Sequence, residues 1–161
     1  GGALRRTITG KPLDSDFDIF FADYEEYLTY KGKLVHVGAK LHKEAESADT
    51  YHLEVDGKKR TIQLIKVVFP LHVADLLDCF DFTVCQLAYD GIELATGEFT
   101  LWDIGRKRLA VHKITRHVSS LRRLLKYTKE GYYACRGCLT EVLLAANAAT
   151  PGQIKEVFYV D

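Results

Sequence analysis

The sequence contains no methionine, three prolines and four cysteines in 161 residues, and its formal net charge is zero. Without a methionine the chain does not begin at a natural start codon, so we expect a fragment, a processed product or an excised domain. So few prolines leave no proline-rich linker that would divide the chain. No apolar stretch approaches the ~20 residues that a membrane-spanning helix needs, so we expect no membrane partner.

The cysteine content bears on the cellular compartment in which the protein works. Four cysteines suit a reducing environment, and we therefore expect a cytoplasmic location. Cys135 and Cys138 form a single C-x-x-C, without a second pair of ligands at the spacing of a structural zinc site. The sequence therefore predicts neither a zinc site nor a disulfide there.

What is present describes a globular protein, with 47% hydrophobic and 27% charged residues. Strand patterns mix with helical patterns in the first two thirds of the chain, and helical patterns dominate the last third. This order predicts an α+β fold: a mixed β-sheet head over residues 1–115 and a small helical neck over residues 116–161, packed as one unit.

Local signals place the first elements. Residues 17–21 read as a strand, and the next segment reads as a helix that Asp23 caps and Gly32 ends. Residues 33–38 then predict a short strand, and the polar residues 39–49 predict a loop.

Two later patterns are clearer. Residues 50–69 predict a β-hairpin whose turn is Asp56-Gly57. From Val118 onward a leucine stripe predicts a helix that ends at Gly131, and a second helix follows.

Charge is unevenly distributed. Residues 14–26 carry six acidic side chains and no basic one, whereas residues 106–129 carry nine lysines and arginines and no acid. This separation suits an acidic metal site that faces a basic phosphate-binding surface. It also suits two ordinary solvated faces, and charge alone does not decide between them.

Asp16 and Asp18 lie within the apolar run "LDSDFDIFF". Residues two apart on a strand point to the same face, so these carboxylates are expected to stand side by side. Such a pair can hold the two Mg²⁺ ions of an in-line phosphoryl transfer. The alternative is an exposed strand end with no catalytic role.

The start of the chain offers a possible phosphate cradle. Gly1 and Gly2 would let the backbone approach a ligand closely, and the helix that follows presents free N–H groups. Arg5, one turn into that helix, could reach the same phosphates. The alternative is a glycine turn before a basic surface helix.

The order of these features resembles the nucleotidyltransferase superfamily that includes DNA polymerase β. The segment "GGALRR…DSDFDIFF" is similar to the G-G-x-x-R-D and D-x-D motifs of class II tRNA CCA-adding enzymes and bacterial poly(A) polymerases. "CFDFTVCQLAYDG" resembles their R-R-D-F-T-x-N-A motif, and "SSLRRLLKYTKEGYYA" loosely resembles a later arginine-rich helix. The resemblance covers roughly residues 1–135.

The resemblance implies roles for particular residues. Asp16 and Asp18 would be catalytic metal ligands, and Asp81 would be the motif aspartate that joins the acidic cluster or contacts the nucleotide. Gly1, Gly2 and Arg5 would cradle the triphosphate.

Several positions depart from the family pattern. Cys79 and Phe80 replace the paired arginines, and Cys85 replaces an asparagine, so sugar discrimination is in doubt. Gln63 stands where many superfamily members carry a third carboxylate, and Arg6 replaces an aspartate.

The expected function is Mg²⁺-dependent transfer of a nucleotide from a nucleoside triphosphate, such as ATP, to an acceptor hydroxyl, with RNA as the expected acceptor. Lys66, Arg122 and Lys126 are further candidates for nucleotide contacts. His36, His52 and His72 are expected to be structural or surface residues.

Two other functions remain open. One is a catalytically silent module that binds nucleotide or RNA. The other is nucleotidyl transfer to a small molecule or a protein.

Overall fold

The structure is a computed structural model, and it describes residues 2–150. Gly1 and the last segment, residues 151–161, lie outside the described residues. The chain divides into two compact units, Gly1–Leu76 and Leu77–Asp161. The predicted division at residue 115 stays a prediction.

The described chain mixes helices with strands along its length. Up to residue 65 they are α1 Gly2–Ile8, β1 Phe17–Ile19, α2 Tyr24–His36, β2 Lys40–Glu44, β3 Ala48–Val55 and β4 Lys58–Ile65. Beyond it they are α3 Val73–Asp78, β5 Leu87–Tyr89, β6 Leu94–Thr96, α4 Thr100–Gly105, β7 Arg108–Leu109, α5 His117–Lys129, β8 Tyr133–Ala134 and α6 Arg136–Asn147.

The first unit is built on a four-stranded mixed sheet in the order β1-β4-β3-β2. β1 runs parallel to β4, and the other neighbours are antiparallel. The predicted hairpin of β3 and β4 is confirmed: Asp56 and Gly57 both have positive φ angles, 51° and 67°. A two-residue turn of this kind matches the twist of the two strands it joins.

One face of this sheet holds the core of the unit. Tyr51 and Leu64 project from it and are 1% and 0% exposed. They form one buried cluster with Tyr27 and Leu34 of α2 and with Phe21. Burial of each large apolar side chain stabilises the fold by about 1.5–3 kcal/mol, so α2 is held to this face, called the Leu64 face below.

The end of α2 differs from the predicted one. Asp23 caps the helix as predicted, and its side chain accepts a hydrogen bond from the Glu26 amide. Gly32 does not end the helix, which continues to His36 because Leu34 gains a buried position. The predicted strand at 33–38 is therefore wrong.

The predicted loop at residues 39–49 was also wrong, because it contains β2. All five residues of β2 are exposed, since it is an edge strand of the sheet. Its polar composition resembles that of a loop, and only its pairing with β3 makes it a strand.

The second unit buries the segment that follows α3. Residues 81–87 are buried without interruption, and Thr83–Cys85 form a short 3-10 turn. The predicted helices after residue 117 are present as α5 and α6. Leu124 and Tyr127 of α5 and Val142 of α6 contribute to the interior of the unit.

The predicted α+β class with a mixed sheet is confirmed. Within residues 2–150, every helix is too short or too polar to traverse a bilayer.

Candidate active site

Asp16 and Asp18 lie on the sheet face opposite the core. Asp18 is paired in register with Gln63 of β4, and Gln63 is paired with Thr50 of β3. Side chains in register share a face, which we call the Asp18 face. Both carboxylates are exposed, as is expected of acids that receive a ligand rather than support a core.

Gln63 connects the two strands on this face. Its Nε2 donates a hydrogen bond of 2.9 Å to Asp16 Oδ2. The amide therefore orients Asp16 without adding negative charge. The missing carboxylate at position 63 is visible in the sequence, but this bond is not, because it joins residues 47 positions apart.

The opening helix begins close to the acidic pair. A Cβ atom added to Gly2 would lie 3.6 Å from Ser15 Oγ, and Ser15 directly precedes Asp16. The structure therefore brings Gly2 near the Asp16 segment. Arg5 is only 3% exposed, so its side chain lies within the interior of the unit.

Lys66 lies apart from the acidic pair. Lys66 follows β4 two positions after Leu64, so the strand alternation places both side chains on the same face. Its Nζ lies 2.7 Å from Asp49 Oδ1. Asp49 is paired in register with Leu64, so this contact belongs to the Leu64 face. The structure does not bring Lys66 to Asp16 and Asp18.

Asp81 belongs to the second unit and is only 2% exposed. Its Oδ2 accepts hydrogen bonds from Ser120 Oγ at 2.8 Å and from Arg123 Nη1 at 2.7 Å. Burial lowers the pKa of Arg123, but the charge of Asp81, its hydrogen bond and smaller contributions from Tyr127 and Cys85 together raise it above its ordinary value, so the guanidinium stays charged. Asp81 therefore anchors the loop before the 3-10 turn to α5.

Arg122 and Lys126 both lie on α5, one turn apart. Lys126 is exposed and Arg122 is half-buried. They belong to the second unit with Asp81, so they are not among the residues that the first unit gathers around Asp16 and Asp18. Their predicted contacts with nucleotide stay predictions.

The acidic pair fits a magnesium ion in its ligand chemistry. Mg²⁺ prefers oxygen ligands and is commonly held by one or two carboxylates together with substrate phosphates and waters. Among residues 2–150, no group of three or more His, Cys, Asp or Glu side chains has the geometry of a metal site. A metal at this site would therefore take its other ligands from substrate and solvent.

Three solved structures with a similar fold have titles that name a tRNA nucleotidyltransferase, a tRNA-processing enzyme and a CCA-adding enzyme. A structure titled tRNA nucleotidyltransferase complexed with a primer tRNA and an incoming ATP analog is 23% identical to this chain, with a TM-score of 0.63. A tRNA-processing enzyme with CTP is 22% identical, with a TM-score of 0.64, and a CCA-adding enzyme in apo form is 16% identical, with a TM-score of 0.64.

These similarities show a nucleotidyltransferase-like fold, as the sequence resemblance predicted. They cover 97–98% of this chain but only 40–47% of the enzymes themselves. The chain thus spans less than half the length of the three enzymes named.

No curated protein matches the chain. The model of one protein family, described as Gabija anti-defense 2 family protein, matches residues 1–107, about two thirds of the sequence. With its nucleotidyltransferase-like fold, this chain belongs to the Gabija anti-defense 2 family.

Proposed function

We propose that this protein transfers a nucleotide from a nucleoside triphosphate to an acceptor hydroxyl, with Asp16 and Asp18 as the metal-binding catalytic pair. The observation that carries the proposal is the arrangement on the Asp18 face. There the exposed Asp18 lies on the edge strand β1, the exposed Asp16 directly precedes that strand, and Gln63 orients Asp16.

The residues of the chain have separate tasks in this reaction. Asp16 and Asp18 would hold the two expected Mg²⁺ ions, whose charge would help to bind the triphosphate. A bound metal supplies charge that stabilises the phosphoryl oxygens and the leaving pyrophosphate. Gln63 fixes Asp16, and Gly2, which lies close to Ser15, would let a phosphate approach the backbone because it has no side chain.

The aspartates are tested by isosteric substitution. Asp16→Asn and Asp18→Asn remove one negative charge each and preserve side-chain size. Loss of a metal ligand costs several kcal/mol of transition-state stabilisation, so we expect transfer to fall by at least ~100-fold. The measurement is incorporation of label from α-³²P nucleoside triphosphates, together with pyrophosphate release, for RNA, protein and small-alcohol acceptors.

Asp56→Asn is the matched control. It makes the same chemical change in the same unit, at a hairpin turn that tolerates asparagine. Its activity should equal that of the wild type, and circular dichroism should show all three variants folded. Wild-type activity in either Asp16→Asn or Asp18→Asn would contradict the proposal.

A silent binding module is the second candidate, and Gln63 favours it. An amide cannot supply the third negative charge that stands there in many relatives of this fold, so metal binding would be weaker. Calorimetric titration with ATP, with and without Mg²⁺, separates the two functions. Metal-dependent binding without release of pyrophosphate would indicate the silent module.

The family name and the solved structures point to different acceptors. RNA is the acceptor suggested by the tRNA complex, whereas the family name suggests that the target is a component of the Gabija defence. Cells that carry this defence should lose it when they produce the wild-type chain and keep it when they produce Asp18→Asn. A cytoplasmic site of action, as the cysteine usage predicts, would suit either acceptor.

A further inference from the structure

Two histidines are stacked on neighbouring strands of the sheet that carries Asp18. The rings of His42 on β2 and His52 on β3 have centroids 4.1 Å apart and planes inclined by 30°. The sequence pattern around His52 predicts only a structural or surface residue. Its position on the sheet points to a functional role.

His52 lies on the Asp18 face. It is paired in register with Thr61 of β4, and Thr61 precedes Gln63 by two residues. Side chains alternate along a strand, so His52, Thr61 and Gln63 share this face. Neighbouring strands lie about 4.8 Å apart, which places β3 about 10 Å from β1, with Gln63 between them.

Gln63 itself cannot accept a proton at neutral pH. On β3 the Asp18 face carries Thr50, His52 and Glu54. Thr50 is paired with Gln63, and of the two titratable residues His52 is the closer to that position. His52 is therefore the candidate proton acceptor for this site.

The surroundings of His52 keep its ring neutral. Partial burial lowers its pKa, and so do the charges of Lys59 and His42, while Asp16 opposes them. Lys40, its register partner on β2, adds another positive charge to this face. A neutral imidazole near pH 7 has a free lone pair and can accept a proton.

We propose that His52 is the general base for the acceptor hydroxyl and that His42 holds its ring by stacking; this rests on the function proposed above. The acceptor O–H proton passes to a ring nitrogen of His52. The acceptor oxygen bonds to the α-phosphorus, the bond from that phosphorus to the bridging oxygen breaks, and pyrophosphate leaves with the electron pair. His52 is then a catalytic residue that stands in for the missing carboxylate.

The test is the pH dependence of nucleotidyl transfer, measured with labelled ATP and whichever of an RNA transcript, a protein mixture or glycerol the wild type labels. General-base catalysis contributes about 10²–10⁴-fold, so His52→Gln should lose about 100-fold or more. Protonation of His52 should slow the wild type at acidic pH, and the rate of the variant should show no such drop.

His42→Phe supplies a second, independent readout. It keeps a ring against His52 but removes a group that lowers the pKa of His52. In the pH–rate profile of His42→Phe, the fall in rate on the acidic side (the acidic limb) should therefore move to higher pH. The maximal rate should stay near that of the wild type. His36→Gln, an exposed histidine of the same unit at the end of α2, is the control and should change neither.

The outcomes separate this inference from the proposed function. If His52→Gln keeps the wild-type rate and acidic limb while Asp18→Asn is inactive, His52 is not the base and the transferase proposal survives. If the wild type labels none of the acceptors, both proposals fail. Should His52→Gln be unfolded by circular dichroism, an unmoved acidic limb in His42→Phe overturns the inference.

Discussion

Asp49 shows how a buried charge is accommodated at the scale of a single residue. Its side chain is 0% exposed, yet it contacts three donors: Tyr27 Oη at 2.6 Å, Lys31 Nζ at 2.7 Å and Lys66 Nζ at 2.7 Å. Burial alone would raise the pKa of Asp49, but these bonds lower it to about 2. Lys66 is thus a partner of this buried acid on the Leu64 face.

We expect Asp49→Asn to lose about 2–3 kcal/mol of unfolding free energy at pH 7, because Lys31 and Lys66 lose their counter-charge. The folded pKa of Asp49 is about 2, below its ordinary value of 3.8. Its stabilising effect is therefore complete above pH ~4 and declines as the pH falls from ~4 towards ~2.

Urea unfolding at pH 7 and pH 3 measures the effect. The difference between wild type and Asp49→Asn should shrink at the lower pH, whereas Asp56→Asn should show no such trend. An equal difference at both values would contradict the assigned pKa.

At the scale of elements, α2 illustrates the balance between local signals and packing. Its start is set locally: Asp23 accepts a bond from the Glu26 amide, and Glu26 accepts one from the Ala22 amide, both at 2.8 Å. Its end is set by packing: the helix continues beyond Gly32 because Leu34 is buried. A glycine in a helix costs only about 1 kcal/mol relative to alanine, less than the ~1.5–3 kcal/mol that burial of a leucine contributes.

Asp23→Ala is therefore expected to destabilise the first unit by about 1 kcal/mol, because the Glu26 amide loses its acceptor. Chemical denaturation measures the loss. Glu25→Ala removes an exposed acid of the same helical turn and is the control, with an expected effect of a few tenths of a kcal/mol. Equal losses in the two variants would show that charge, not capping, matters at this position.

At the scale of the whole molecule, the proposed site predicts ligand-linked stability. Mg²⁺ with ATP at about 100 times its dissociation constant would stabilise the folded chain by about 2.7 kcal/mol. For a chain of this size that corresponds to a rise in the melting temperature of about 5–10 °C.

Differential scanning fluorimetry tests this expectation. Excess EDTA should abolish the rise, and Asp18→Asn should show little of it. A rise of the same size in Asp18→Asn, or one that EDTA leaves unchanged, would place the ligand elsewhere in the molecule.

Much of the first unit follows from short-range pattern. The hairpin turn at Asp56-Gly57, the cap at Asp23 and the common face of Asp16 and Asp18 all depend on residues within three positions of one another. Conformational preference and strand alternation act at that range, so the sequence alone was sufficient to determine them.

The partners of the charged side chains were decided only by the tertiary structure. The bonds Gln63–Asp16, Lys66–Asp49 and Arg123–Asp81 join residues 47, 17 and 42 positions apart. Such contacts depend on which strands become neighbours and in what register, and those follow from burial of the whole core. The sequence therefore predicts a pair of acidic residues and several basic ones. Which basic side chain pairs with which acidic one is determined only by the folded chain.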